Sequence, residues 1–297
     1  MLTEVTRSSH IYKVKKGSNT ITQWLFFAPD IHWDNPHCNR DLLKKHLDEA
    51  VSLGARIILP GDTFCLMQGG YDPRKQKGDI RPEHNVNHYI DAVVEDAARW
   101  FAPYQPYIDI VGLGNHETSI LKRMETDVVG RFVQLLNVNA KGDHRVMAGG
   151  YGGWYTLLFY SYSSQKSFVV KYFHGSGGGS PVTKGTIQHN RASTQTEGAD
   201  AIVMGHVHND YVVTYSREML DNRFMPVTRD LLMIRCSTYK DEYADGHSGW
   251  HVERGGGPRP LGGQFVCVTF NKGQIARPER SQKAKAASVT AYSRRAV

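Results

Sequence analysis

Five short segments, in chain order, bring together carboxylate, imidazole and amide side chains: Asp30-Ile31-His32, Gly61-Asp62, Gly114-Asn115-His116-Glu117, His174 and Gly205-His206-Val207-His208. Most directly follow an apolar run, at residues 22–28, 56–59, 107–111, 168–173 and 201–204. Those runs have the length and composition of buried strands. An α/β sheet presents its functional groups at the carboxyl ends of its strands. A chain that repeats the pattern along its length is thereby restricted to a sheet-based fold in which those strand ends converge. Carboxylate, imidazole and amide are also the side chains that hold borderline divalent cations.

The segments between supply crossovers. A helix is expected from residue 40 to 53, with Asn39 as N-cap, Leu42, Leu43, His46, Leu47, Ala50 and Val51 as its apolar stripe, and Gly54 as its stop. Further helices are expected over residues 85–101 and 120–136. The resulting β-α-β-α-β-α order implies a mainly parallel sheet. Strands then dominate, at 154–161, 168–173, 201–204, 211–215, 231–236 and 265–270, with a short helix near 184–194. Two sheets flanked by helices, as one domain over residues 1–276, fit this order. Residues 241–263, glycine-rich with Trp250, His251, Glu253 and Arg254, read as a long ordered loop that overhangs the site. Residues 277–297 are polar and basic and read as a disordered tail.

With 297 residues, 40% hydrophobic and 22% charged, the chain can bury a large core without staples. No apolar run approaches a membrane span, and the polar, basic first residues do not resemble a secretory leader, so a cytoplasmic location and no membrane partner are expected. The four cysteines form no CxxC pair, which argues against disulfides and structural zinc. Cys236 and Cys267 read as core residues. Cys38 and Cys65 follow metal-type segments and read as first-turn or loop cysteines, with a thiolate ligand as the alternative. The formal charge of +7 favours anionic partners.

The D-x-H, G-D, G-N-H-E, lone H and G-H-x-H segments together resemble the calcineurin-like metallophosphoesterase superfamily, with the match running from Asp30 to His208. The resemblance implies an αββα sandwich of two mixed β-sheets flanked by helices. It implies Asp30, His32, Asp62 and His208 at one divalent cation, and Asp62, Asn115, His174 and His206 at a second. Manganese comes first, with zinc, iron or nickel as alternatives. His116 would act at the leaving group as general acid, with Glu117 as a partner for its imidazole. Two ions about 3.5–4 Å apart lower the pKa of a shared water to about 7 and stabilise phosphoryl oxygens. The implied activity is therefore phosphoester hydrolysis by metal-bound hydroxide. Protein phosphatases of the superfamily carry G-D-x-H-G and G-D-x-V-D-R-G, whereas here the segments read Pro29-Asp30-Ile31-His32-Trp33 and Gly61-Asp62-Thr63-Phe64-Cys65. The arginine is missing, which disfavours that branch. Purple acid phosphatases place a tyrosine soon after the bridging aspartate, and Tyr71 is too distant.

A phosphodiester in a nucleotide or nucleic acid is the favoured substrate. A small-molecule phosphomonoesterase or nucleotide pyrophosphatase is the runner-up, and a scaffold or binding protein the non-enzyme alternative. Arg74, Lys75, Lys77 and Arg81 read either as a solvated face or as substrate contacts. Tyr239, Lys240 and Arg254 are similar candidates. Asp34 reads equally as a site residue or as the loop before the helix. The run Gly175 to Gly179 is either a phosphate cradle or a flexible connection. His10, His84, His88, His144, His189 and His247 are assigned to surface or loop.

Overall fold

A computed structural model of the chain describes residues 1–14, 20–67, 80–160, 165–243, 246–247, 250–253, 255–271 and 288–296. The first three apolar runs become the parallel strands β3 (Thr20–Phe27), β4 (Arg56–Leu59) and β5 (Ile108–Val111). They are connected by α1 (Arg40–Ser52) and α2 (Tyr89–Phe101). Asn39 caps α1 as expected, its Oδ1 accepting the Leu42 N–H at 2.9 Å. The short β6 (Met147–Ala148) extends the parallel set, and β12 (Gln264–Asn271) runs antiparallel to β3.

The second sheet is built on β7 (Gly152–Tyr160), β8 (Gln165–Phe173), β9 (Ala201–Met204), β10 (Tyr211–Leu220) and β11 (Pro226–Arg235). Strands β8, β9 and β11 are mutually parallel, so their carboxyl ends lie together as those of β3, β4 and β5 do. An N-terminal hairpin, β1 (Leu2–Thr6) and β2 (Ser9–Lys13), completes it. Both sheets of the described residues, one seven-stranded and one six-stranded, are mixed.

Buried side chains fall into layers. Leu25, Phe27, Ile58, Val266 and Phe270 of one sheet meet Tyr155, Leu157, Phe159, Val170 and Val203 of the other. The opposite face of the six-stranded sheet, with Phe26, Ile57, Leu59 and Phe265, packs under Leu43 and Leu47 of α1, Val93 and Phe101 of α2, and Phe132 of α4 (Val128–Val138). The outer face of the other sheet, through Ile202, Met204 and Met233, packs against Ala192 of α5 (Thr186–Gln195).

Four expectations need correction. The helix expected over 120–136 is two, α3 (Asn115–Met124) and α4. Glu125 turns left-handed at φ 51°, and Asp127 accepts the Gly130 N–H at 2.8 Å, a side-chain cap that restarts the helix. Helix α2 begins at Tyr89 rather than at 85, because Pro82–His84 form a separate 3-10 turn. Within the expected disordered tail, Ser288–Arg295 form a strand, β13, paired antiparallel with β12 over its whole length. His10, His84 and His189 are buried rather than exposed. The His189 ring answers the hydroxyl of half-buried Tyr211 at 3.0 Å and the buried Ile202 carbonyl at 3.2 Å. Only part of the 241–263 loop is described, including the short α6 (Trp250–Glu253). Arg259 reaches Asn209 Oδ1 at 2.7 Å, which sets the end of that loop beside His208.

Candidate metal centre

The five motif segments meet at the carboxyl ends of the two sheets. Asp30, His32 and His208 form one group and Asp62, His174 and His206 another, with ligand-capable atoms within 4.8 Å of one another in each. Asp30, His32, Asp62 and His174 are buried. His174 Nε2–H donates to Asn115 Oδ1 at 3.1 Å and lies 3.2 Å from Asp62 Oδ2, so Asn115 joins the second group. His208 Nε2 is 3.4 Å from Asp30 Oδ1.

An extended strand would place i and i+2 side chains on one side. The ligand segments do otherwise. Asp30, His32, Asp62, His206 and His208 all have positive φ, between 49° and 74°. Aspartate and histidine enter this region more readily than most residues, yet each such position costs on the order of 1–3 kcal/mol and persists only where its surroundings over-determine it. Here they do. Asp30 N–H bonds Gly61 O and His32 N–H bonds Asp62 O, both at 3.0 Å, so the two turns hold each other beyond the strand ends. Asp30 Oδ2 accepts the His206 N–H at 2.8 Å, and Asp62 Oδ1 the His116 N–H at 3.0 Å. Glycines permit this closeness: a Cβ at Gly114 would lie 2.0 Å from Asp62 Oδ1, and one at Gly205 2.3 Å from Asp30 Oδ2. The buried guanidinium of Arg235 donates to Gly205 O at 2.6 Å and to Gly185 O at 3.0 Å, bracing the turn that carries His206.

The electrostatics are those of buried acids facing buried bases. Burial alone would raise the Asp62 carboxyl, but the imidazoles of His174, His116 and His32 hold it well below its ordinary range. Burial would lower His174, and the charge and hydrogen bond of Asp62 raise it to about 9 instead. His32, buried and flanked by His116, lies well below the usual histidine value. Both of its ring nitrogens, and Nδ1 of His174, are buried without a hydrogen-bond partner. An unanswered buried polar atom costs about 1–3 kcal/mol, a penalty that a bound cation removes. The donor set, carboxylate plus imidazole plus amide oxygen, suits divalent ions of borderline softness. The residues present therefore fit two cations.

His116 and Glu117 part company. His116 Nδ1–H donates to the Cys65 carbonyl at 2.5 Å, which leaves Nε2 facing the cluster, 3.8 Å from Asp62 Oδ2. Glu117 does not partner that imidazole. Its carboxylate takes the backbone N–H groups of Gly114 at 2.8 Å, Phe64 at 2.9 Å and Asp62 at 3.2 Å. From the first turn of α3 it reaches back to the Gly114 amide at the helix start and braces the loop under the centre. Burial, then the Asp62 charge, push its carboxyl up to about 8.

Asp34 is likewise a loop brace. It accepts the N–H groups of Cys65 at 2.6 Å and Leu66 at 2.9 Å and the hydroxyl of Tyr89 at 2.5 Å. Arg81 is not open to substrate through its Nε and Nη2, which donate to Asn35 O and Cys38 O at 3.0 Å each. Arg74, Lys75, Lys77 and Arg254 lie outside the described residues. Lys240 is near-buried, pairs with Glu242, and its charge depresses His32. Tyr239 is interior, its hydroxyl 2.9 Å from His46 Nδ1. Cys65, which the sequence offers as a first-turn or loop cysteine with a thiolate ligand as the alternative, forms a ligand-capable group with His32 and His116. The available signal was its place three residues after Asp62. A fourth group, Glu83, His84 and Asp96, is answered by the protein itself, since Asp96 Oδ2 accepts from Trp33 at 3.0 Å, His84 at 3.0 Å and Arg40 at 3.2 Å.

No family model and no curated protein matches the chain. Among solved structures it is similar to GAP50, the anchor in the inner membrane complex of Plasmodium, with 12% identity over 90% of this chain and 89% of that one, at a TM-score of 0.37. It is also similar to Vps29 of Chaetomium thermophilum, with 8% identity over 93% of this chain and 98% of that one, at a TM-score of 0.33. Likeness at this level transfers neither fold nor function. No helix among the described residues is long and apolar enough to cross a membrane.

Proposed function

We propose that the protein is a dinuclear metal-dependent phosphoesterase of the αββα metallophosphoesterase type, acting on phosphodiesters of nucleotides or nucleic acid. One observation carries the reading. Two adjacent groups, each a carboxylate with two imidazoles, face one another at the converging strand ends, with buried ligand atoms unanswered by the protein. Asp30, His32 and His208 would hold one cation and Asp62, Asn115, His174 and His206 the second, with Asp62 shared. Bound there, the cations would supply an activated water and positive charge opposite the phosphoryl oxygens.

The chain's own residues do the rest. His116 has one nitrogen committed to the Cys65 carbonyl, so its ring cannot turn, and Nε2 is aimed at the centre. Protonated at Nε2, it donates to the leaving oxygen. Asp34 and Glu117 hold the Cys65 and Phe64 amides, and so fix the carbonyl that orients His116. Lys240, paired with Glu242, adds positive potential that lowers His32. The diester preference rests on the net basic charge and the missing phosphatase arginine.

Chelator-treated protein reloaded with manganese, zinc or iron should bind two ions per chain and cleave a bis-nitrophenyl phosphate. No more than one bound ion after loading would sink the dinuclear reading. Two ions without hydrolysis of diester, monoester, oligonucleotide or nucleotide substrates would leave a binding protein. Preference for the monoester would favour a phosphomonoesterase.

A further inference from the structure

The hairpin of β10 and β11 outgrows the layer beneath it. Residues 231–235 of β11 are buried, but residues 226–230 are exposed. Residues 216–220 of β10, which pair with them, are exposed too, except half-buried Arg217. That distal half is a two-stranded ribbon, and two strands alone are marginally stable in water. It displays Met219, Leu220 and Val227 to solvent, with Val212 and Tyr215 exposed further back along β10. Among the described residues β10 ends the seven-stranded sheet and pairs with β11 alone, over its whole length without a bulge. No proline or lysine interrupts it. Such an edge offers a row of open N–H and C=O groups to another strand.

The strand is complementary to itself in one register. Opposed residues of two antiparallel copies share a face, so odd positions pair with odd and even with even. Centred on Arg217 or Glu218, the pairing sets like charges against each other, which is destabilising. Centred on Tyr215, it sets Arg217 and Glu218 against Val213 and Val212. Centred on Ser216, it sets Val212 against Leu220, Val213 against Met219, Thr214 against Glu218 and Tyr215 against Arg217. Apolar side chains then meet on both faces, no like charges are opposed, and a guanidinium lies by an aromatic ring. The same register lays each projecting half along residues 212–215 of the other copy, which lie beside the buried part of β11, and so gives the ribbon the third strand it lacks.

We infer that two copies of this chain pair β10 with β10, antiparallel about a two-fold axis at Ser216, into one continuous sheet. The interface is isologous, so one pairing uses the free β10 edge of both copies and closes the assembly at two.

Light scattering on the full chain should give twice the chain mass at micromolar concentration. Met219→Glu should weaken the dimer at least roughly tenfold, because the axis places two unpaired carboxylates in the join. Val213→Lys should weaken it as well, and the double variant should regain it, since the introduced charges then face one another. All four native cysteines are buried, so a short bifunctional thiol reagent reads an added one. Ser216→Cys should cross-link to itself across the axis, whereas Thr214→Cys, which faces Glu218, should not. Melting curves of these variants should stay close to wild type, which separates loss of pairing from loss of fold. A monomer at every concentration overturns the inference. So does a dimer that survives Met219→Glu, or one that cross-links equally well, or not at all, through the two added thiols.

Discussion

His116 shows how much one hydrogen bond decides. A carbonyl can only accept, so the bond to Cys65 O places the proton on Nδ1 and leaves Nε2 for chemistry. His116→Ala should keep both cations, because the ring belongs to neither carboxylate-bearing group. It should lower the rate by about 10²–10⁴-fold on a poor leaving group, the usual worth of a positioned acid, and by much less on nitrophenolate esters. Metal analysis beside kcat on the two substrate types checks this, and equal losses on both would remove the acid role. Asp62→Asn should behave differently, losing most of the bound metal together with activity. Its carboxylate is where the His174 ring and the His116 amide meet.

At the scale of elements, strand ends and helix starts meet too closely for side chains. Gly114 caps α3, and its Cα faces the Asp62 carboxylate. Gly114→Ala must displace Asp62 or the first turn of α3, at roughly 1–3 kcal/mol for overpacking, and should reduce metal stoichiometry more than it lowers Tm. Elemental analysis and a melting curve separate these effects. Helix α1 carries a second test. Its His46 sits beneath Phe26 and Tyr239, and burial holds it down at about 4. The unfolded chain binds that proton with an ordinary histidine pKa of about 6.5. The unfolded state therefore takes up more protons between those values, so stability should fall as pH drops from about 6.5 to about 4 and be unaffected above. In metal-free protein, His46→Phe should show a smaller loss of Tm from pH 7 to pH 5 than wild type. An identical slope would show that His46 contributes nothing to acid sensitivity.

For the molecule as a whole, the join between the sheets includes an ion pair. A register shift in β5 at Asp109 turns its side chain between the sheets, where it meets Arg56 of β4 and the Tyr155 hydroxyl of β7. Asp109 is fully buried, so Asp109→Ala strands a guanidinium and should cost about 3–5 kcal/mol in denaturant unfolding. Combining it with Arg56→Met should recover part of that loss, since no buried charge is then left unpaired, while the Tyr155 hydroxyl still lacks its partner. Local pattern was enough to read β4 and β9 to the residue, the capped start of α1, and the seven side chains gathered at the two candidate cation positions. Short apolar runs, an N-cap and donor-rich turns are properties of neighbouring residues. Tertiary structure decided what depends on distant partners. Residues 288–295 are a strand only because β12 offers them an edge, which their polar composition could not signal. The ligand pairs share a side through left-handed turns locked by bonds between segments, not through extended backbone. Glu117 and Asp34 became loop braces because buried amides from separate strand ends needed answering in one place, and sequence spacing carries no record of that need.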